Sequence, residues 1–255
     1  MGNMLAETNL QKYRLASELK NSFCVGDLLD EKFLKVFIDN LSESIGAPSE
    51  KVSASIFMKR YAFITVLSLY VMTVWNKKLN VTLSNIEMES PEQGKEWLPS
   101  LSLKDANGIA WDGKNRAEWR RGVLKDLFAK NIFPIIEKLE KMFRISRLIL
   151  WENIAVYIFW LYETELKDLN NGNVLNDFRF LMVEAEGAMF GRYKGNPLQK
   201  YYTEKVEEVR MRNTCCFSYQ LPAGKRCKTC PCTQITKDRR CHDGESICSA
   251  VRSFA

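Results

Sequence analysis

Ser53-Ala-Ser-Ile-Phe-Met-Lys-Arg-Tyr-Ala-Phe-Ile-Thr-Val-Leu-Ser-Leu-Tyr-Val-Met-Thr-Val-Trp75 is the stretch that sets the architecture. Its apolar residues occupy nearly every face of a 3.6-residue helix, a pattern that belongs in the middle of a bundle or in a bilayer. The longest uncharged run, Tyr61–Trp75, is about 15 residues and is bracketed by Lys59-Arg60 and Lys77-Lys78. A spanning helix needs roughly 20 apolar residues. The stretch therefore reads as a buried central helix, and no membrane span is expected. A second apolar stretch, Ile145–Tyr162, carries Arg147 and Glu152 and fails the same test.

On the N-terminal side, Asp27 is placed to cap a helix with apolar positions Leu29, Phe33, Val36, Phe37, Leu41 and Ile45 and Gly46 as its stop. On the other side the period changes. Leu79, Val81, Leu83 and Ile86, then Leu98, Leu101 and Leu103, predict a small β element, followed by a turn-rich stretch from Asp105 to Gly113. Helix resumes at Asn115 and runs to Phe143, with Pro134 kinking or dividing it. Ser146 caps the next helix, Arg147 to about Asp168. Val174–Phe190 gives another, and Tyr201–Met211 is expected to form a last, charged one. Within the apolar helix Trp151, Tyr157, Phe159, Trp160 and Tyr162 read as core. The fold class is mainly α: a helical body with a small β element and a C-terminal cysteine-rich segment.

Composition agrees with a globular body: 46% of the 255 residues are hydrophobic, 27% are charged, and Gly and Pro number only 13 and 7. This excludes disordered, collagen-like and small disulfide-dependent chains. Charge and cysteine content are unevenly placed. Arg210–Ala255 holds nine Lys/Arg against three Asp/Glu, a surplus that equals the whole net charge of +6. Seven of the eight cysteines lie there too, leaving Cys24 alone upstream. The expected division is a body over 1–209 and a basic cysteine-rich segment over 210–255. Met1–Lys20 mixes Glu7, Lys12, Arg14 and Glu18 through its apolar residues, so no signal-peptide core is expected there. The expected location is the cytoplasm, where closely spaced cysteines more often bind metal or do redox work than form disulfides.

The informative string is Arg212-Asn-Thr-Cys215-Cys216-Phe-Ser-Tyr219, then Cys227-Lys-Thr-Cys230-Pro231, with ten residues between Cys216 and Cys227. A Cys-x-x-Cys turn aims two thiolates at one soft metal. Four thiolates meet the ligand count of a structural zinc or of a [2Fe–2S] cluster. Neighbouring side chains on an extended backbone point to opposite faces, so Cys215 and Cys216 fit a single tetrahedral ion poorly and a broader two-iron cluster better.

This string resembles the FhuF-type ferric-siderophore reductases. The resemblance rests on Cys-Cys-x10-Cys-x2-Cys near the C-terminus, with Arg212 three residues before the pair, Tyr219 three after it and Pro231 behind the last cysteine. Leu150-Trp151-Glu152-Asn153 and Asn196-Pro197-Leu198 look like further, less specific landmarks. The resemblance implies a [2Fe–2S] cluster on Cys215, Cys216, Cys227 and Cys230, and one-electron reduction of Fe(III) in a ferric siderophore of the hydroxamate or citrate-hydroxamate type. Lower charge on Fe(II) weakens its hold on hard oxygen donors, so reduction releases the iron. Arg212, Lys225, Arg226 and Lys228 crowd the expected ligands and are candidate contacts for substrate or partner, in a basic rim around a solvent-facing cluster.

No Gly-x-Gly-x-x-Gly follows a strand and no P-loop occurs, so electrons are expected from an external donor: a ferredoxin, a flavodoxin or a reductase. Nothing points to a nucleic-acid recognition motif. Two other readings stay open. One is a zinc-binding interaction module with a basic tail. The other is a catalytically silent ferric-chelate binder related to siderophore-biosynthesis proteins. Cys232, Cys241, His242 and Cys248 continue past the expected pattern, as spare thiols or a second metal site.

Overall fold

The computed structural model describes residues 10–93 and 96–233; Cys241, His242 and Cys248 lie outside them. The body is mainly helical, with short strands and the cysteine-rich segment at its C-terminal side.

Asp30 accepts the Phe33 N–H at 2.8 Å and starts α1 (Glu31–Ile45), and Gly46, at φ 62°, ends it. The expected cap at Asp27 is corrected by a separate 3₁₀ turn over Val25–Leu29, whose Asp27 carbonyl is taken by the Asp30 N–H. Leu34, Phe37, Ile38 and Leu41, at three- and four-residue steps, form one buried stripe, and Val36, which falls off it, is 58% exposed.

Ser49 caps α2 (Glu50–Tyr61), which begins three residues before the expected start at Ser53, and the expected single helix is interrupted at Ala62 before α3 (Phe63–Trp75). Over Glu50–Trp75 the helical run is 26 residues, long and apolar enough by composition to cross a membrane. Within this protein 83% of its apolar window is buried.

Pro134 divides the run as expected, standing at the start of its last α-helical part. The chain is α-helical over α4 (Arg116–Leu124), π-helical over Lys125–Ile132 and α-helical again over α5 (Phe133–Phe143). Proline has no N–H to give and its ring crowds the carbonyl four residues back. The wider π turns ahead of it take up that mismatch. They also place buried Asn131 to donate to the Val81 carbonyl (2.7 Å) and accept from the Tyr61 hydroxyl (2.9 Å).

Ser146 caps α6 (Arg147–Trp160), which continues as a π turn over Leu161–Glu165. Then α7 (Asn173–Arg179) packs beside α3. Its fully buried Asp177 accepts two hydrogen bonds from Arg116 (3.1 and 2.7 Å) and one from Arg120 (3.0 Å), tying α7 to α4.

The β element is smaller and more dispersed than expected. Its strands are β1 (Ser22–Cys24), β2 (Lys77–Lys78), β3 (Ile86–Glu89), β4 (Leu101–Leu103) and β5 (Ile109–Ala110). They form an antiparallel sheet in the order β1-β3-β4 and a separate β2-β5 pair. Leu79 and Val81 are buried loop residues, and β1, from outside the expected range, joins through Phe23↔Met88.

The charged helix expected over 201–211 does not form. Tyr201 closes a 3₁₀ turn, Glu207 and Glu208 take positive φ (50° and 63°), and Val206 and Val209 exchange both backbone hydrogen bonds. Arg210 explains why. Its guanidinium lies against the rings of Phe159 (4.8 Å) and Tyr202 (4.4 Å) and bonds Glu163 at 2.6 Å. Tertiary partners outweigh a helix propensity of a few tenths of a kcal/mol per residue.

Candidate metal centre

The cysteine segment lies on a floor made by α2 and α6, which pack against each other. Ser55 and Lys59, four residues apart, share one face of α2; Glu152, Val156 and Trp160 share one face of α6. These faces carry polar residues inside otherwise apolar helices, and each finds a partner in the segment.

Glu152, 2% exposed, does most of the anchoring. Its carboxylate accepts the Asn213 N–H at 2.6 Å, the Thr214 N–H at 2.7 Å and the Thr214 hydroxyl, and faces Arg212 Nε at 3.6 Å. Arg212 in turn donates to Asn153 Oδ1 (2.7 Å) and to the Thr214 carbonyl (3.1 Å). Asn153 donates to the Ser55 carbonyl and hydroxyl (3.0 and 3.1 Å), and the Ser55 hydroxyl donates to the Cys216 carbonyl at 2.9 Å. One network thus runs from α6 through α2 to the cysteine backbone. Arg212 is 6% exposed inside it. It is a buried strut rather than part of an exposed rim, and its side chain still lines the two clefts beside Trp160.

The loop between the two halves of the motif is closed by the Cys230 N–H to the Cys227 carbonyl (3.0 Å), which is the Cys-x-x-Cys turn, and by the Arg212 N–H to the Thr229 carbonyl (2.9 Å). Pro222 sits against the cap of α1: a Cβ on Gly46 would come within 2.7 Å of it. A Cβ on Gly224 would lie 2.2 Å from the Ser218 carbonyl oxygen. Gly224→Ala is therefore expected to force the loop apart and cost about 1–3 kcal/mol. A fall in both thermal midpoint and bound iron would register it, and an unchanged midpoint would refute it.

The sulfurs sort themselves. Those of Cys215, Cys230 and Cys232 lie within 4.8 Å of one another. Cys216 instead pairs with Cys227 through a thiol hydrogen bond. The neighbours Cys215 and Cys216 thus diverge, as adjacent positions do on extended backbone. Each expected ligand also meets an N–H or O–H group. The Phe217 N–H donates to Cys215 Sγ (3.4 Å), Lys59 Nζ to Cys216 Sγ (4.0 Å), the Thr229 hydroxyl to Cys227 Sγ (3.5 Å) and Arg226 to Cys230 Sγ (3.9 Å). Ser218 Oγ adds a contact to Cys216 at 3.1 Å.

This setting favours a sulfur anion at Cys216 and neutral thiols at Cys215 and Cys227. The hydrogen bond from the Cys227 thiol, with the Lys59 and Arg212 cations, holds the buried Cys216 thiol down at about 4. The same hydrogen bond, and burial, push Cys227 up, while burial pushes Cys215 up to about 12. A thiol so raised holds its proton more tightly, and a bound soft cation has to outweigh the burial penalty to displace it. The donor set, two neighbouring groups of thiols supplied with hydrogen-bond donors, is consistent with an iron–sulfur cluster.

Cys216 and Cys230 are buried, whereas Cys215, Cys227 and Cys232 are half-buried. Lys225, Arg226 and Lys228 are exposed around them, and Arg226 stacks on Tyr219 at 4.2 Å. Cys24 sits apart in β1, its sulfur against the Leu83 and Ser84 carbonyls.

Comparison with known proteins agrees with this geometry. The family described as "Ferric iron reductase FhuF-like transporter" matches residues 55–216, well over half the chain. The chain belongs to the FhuF-like family. The "FhuF 2Fe-2S C-terminal domain" matches residues 212–231, a span holding Cys215, Cys216, Cys227 and Cys230 and ending before Cys232. The "Ferric siderophore reductase" of Escherichia coli (strain K12) is 26% identical over 157 residues, covering 60% of this chain and 55% of that protein. The match thus spans about half the length of that relative.

The FhuF-like landmarks acquire a role. Glu152 and Asn153 are the residues that hold the cysteine loop, and Trp151 donates to the Tyr193 hydroxyl at 2.8 Å. Asn196 donates to the Leu181 carbonyl (2.7 Å) and accepts the Leu198 N–H (2.9 Å), fixing the bend before the segment. Sequence reading missed Ser55 and Lys59. Their signal was available as polar residues on the innermost helix. It also placed Tyr157 and Trp160 in the core, but both are only partly buried and line a cleft of about 330 Å³ that reaches Cys227. A neighbouring cleft of about 300 Å³ lies on the other side of Trp160 and Arg212. A hollow of about 430 Å³ between α1 and the Ser90–Gln93 loop touches none of the cysteines.

Proposed function

We propose that this chain is a cytoplasmic ferric-siderophore reductase, delivering one electron to chelated Fe(III) and releasing Fe(II). The supporting observation is the hydrogen-bonded group of Cys215, Cys216, Cys227 and Cys230 on the α2–α6 floor, in a chain of the FhuF-like family. These four residues would hold a [2Fe–2S] cluster, which when bound supplies a one-electron carrier.

The chain's own residues set the conditions. Lys59, Arg212 and Arg226 place positive charge beside the sulfurs, which favours the more negative, reduced state. Glu152 keeps the Asn213 and Thr214 amides turned away from solvent and so fixes the loop. Lys225, Lys228 and Arg226 form an exposed basic rim that attracts an acidic electron donor, a ferredoxin- or flavodoxin-like protein or a reductase. Half-buried Cys227 lies at the edge through which an outside acceptor would approach.

Purification without air, followed by iron and sulfide quantitation and stopped-flow spectroscopy, tests the reading. Two irons and two sulfides per chain are expected, and a dithionite-reduced sample should reoxidise when a ferric hydroxamate is added. A colourless zinc-loaded protein would instead favour the closely grouped Cys215, Cys230 and Cys232 as a zinc site. A coloured protein that never passes its electron to any ferric chelate would be the silent relative.

A further inference from the structure

The cleft beside Cys227 has a chemical character of its own. One wall is aromatic: Phe63 and Tyr157 lie 4.9 Å apart, centroid to centroid, and Trp160 follows Tyr157 along α6. Lys59 lines it one turn before Phe63, together with Arg212 and with Cys227 and Thr229 from the cysteine turn. Among the described residues that line it, none is acidic.

Two more cations back the same wall. Arg14 sits over the Phe63 ring at 5.0 Å, and Arg60 acts on Tyr157 from nearby. The two guanidiniums repel each other: burial, and then the charge of Arg60, lower the pKa of Arg14 from its ordinary value. Arg60 is offset by Glu96 at 3.4 Å, but that carboxylate is 74% exposed and weakly coupled. The neighbouring cleft differs. It contains Glu152, Glu163 and Glu208, and its Arg210 and Lys205 are already paired with Glu163 at 2.6 and 3.0 Å.

We propose that the cleft of Phe63, Tyr157, Trp160 and Lys59 seats an anionic ferric chelate, one whose ligand carries carboxylate as well as iron-binding oxygens. Its organic arms lie on the aromatic wall, and its negative charge faces Lys59 and Arg212, with Arg14 and Arg60 adding positive potential from behind that wall. This rests on the reductase reading and names its substrate class. The volume suits a small chelate's arms with the rest in solvent. Occupancy brings the complex against Cys227, a short path for electron transfer. The step is one electron from the donor-reduced protein to Fe(III), giving Fe(II), with no bond made to the protein.

Calorimetric titration of the anaerobically purified holoprotein with gallium(III) complexes, which bind like iron(III) but accept no electron, tests the seat apart from turnover. The gallium complex of a citrate dihydroxamate is expected to bind at least tenfold more tightly than that of a neutral trihydroxamate. Trp160→Leu should weaken both about tenfold. Arg14→Gln should weaken only the anionic complex, and in both variants the visible spectrum of the protein should stay as in wild type. Wild-type affinity in both variants, or equal affinity for the two complexes, would overturn the proposal while leaving the reductase reading in place. Binding as expected, with no electron passing to the corresponding ferric complexes, would keep the seat and overturn the reductase reading.

Discussion

Exchanging any one of Cys215, Cys216, Cys227 or Cys230 for Ser should leave the purified chain bleached, with iron and sulfide falling to a small fraction of wild type. A serine oxygen is a hard donor of high pKa, poorly matched to the soft thiolate position it would fill. The effect should be large at all four because each sulfur occupies its own place. Cys215 stands with Cys230, Cys216 with Cys227, and each has its own hydrogen-bond donor. Cys24→Ser is the matched control. That thiol faces the Leu83 and Ser84 carbonyls beside the small sheet, so its replacement should keep full iron. Cys232 makes the experiment discriminating, since its sulfur shares the 4.8 Å grouping of Cys215 and Cys230. If Cys232→Ser bleaches the protein while Cys227→Ser keeps a wild-type absorption and EPR spectrum, the fourth ligand is Cys232 and the assignment is wrong.

The motif was legible because its chemistry is local. A Cys-x-x-Cys turn needs only four residues, and the divergence of Cys215 from Cys216 follows from their being adjacent. Helix existence was legible for the same reason, since the buried stripes of α1 and α5 are periodic over about three turns and α6 is apolar and buried on nearly every face. Boundaries were less so. Asp27 and Asp30 are equally good capping residues, and only the 3₁₀ turn between them decides. Pro134 marks a division that the sequence shows, whereas the π turns ahead of it leave no such signal. The failure at 201–211 has a different origin. Its charges satisfy the helical spacing rule locally, yet Arg210 and Lys205 spend theirs on Glu163, more than forty positions earlier in the chain. The clefts were the least visible. Tyr157 and Trp160 follow the same helical pattern as buried Trp151 and Phe159, and exposure there depends on where the cysteine turn comes to rest.

Glu152→Ala should release that turn without unfolding the body. The substitution removes the only carboxylate in contact with Arg212 among the described residues, and the acceptor of two backbone N–H groups and one hydroxyl. Arg212, with 3% of its side chain exposed, would stay buried with Asn153 and a carbonyl as its remaining acceptors. Breaking a buried ion pair by deleting one partner costs about 3–5 kcal/mol. That is enough to make docking of the 212–231 segment unfavourable, because such a segment contributes few large apolar side chains of its own. The apolar contacts of α6 through Trp151, Ile154 and Ile158 are untouched, so the helical far-UV signal should persist while bound iron is lost and the segment becomes open to protease. Glu152→Gln should fall between, since its amide oxygen can keep one N–H but its NH₂ group then faces the other. Full iron content and unchanged protease resistance in Glu152→Ala would show that the cysteines hold the loop by themselves. Loss of the helical signal along with the iron would show instead that this ion pair supports the α2–α6 packing as a whole.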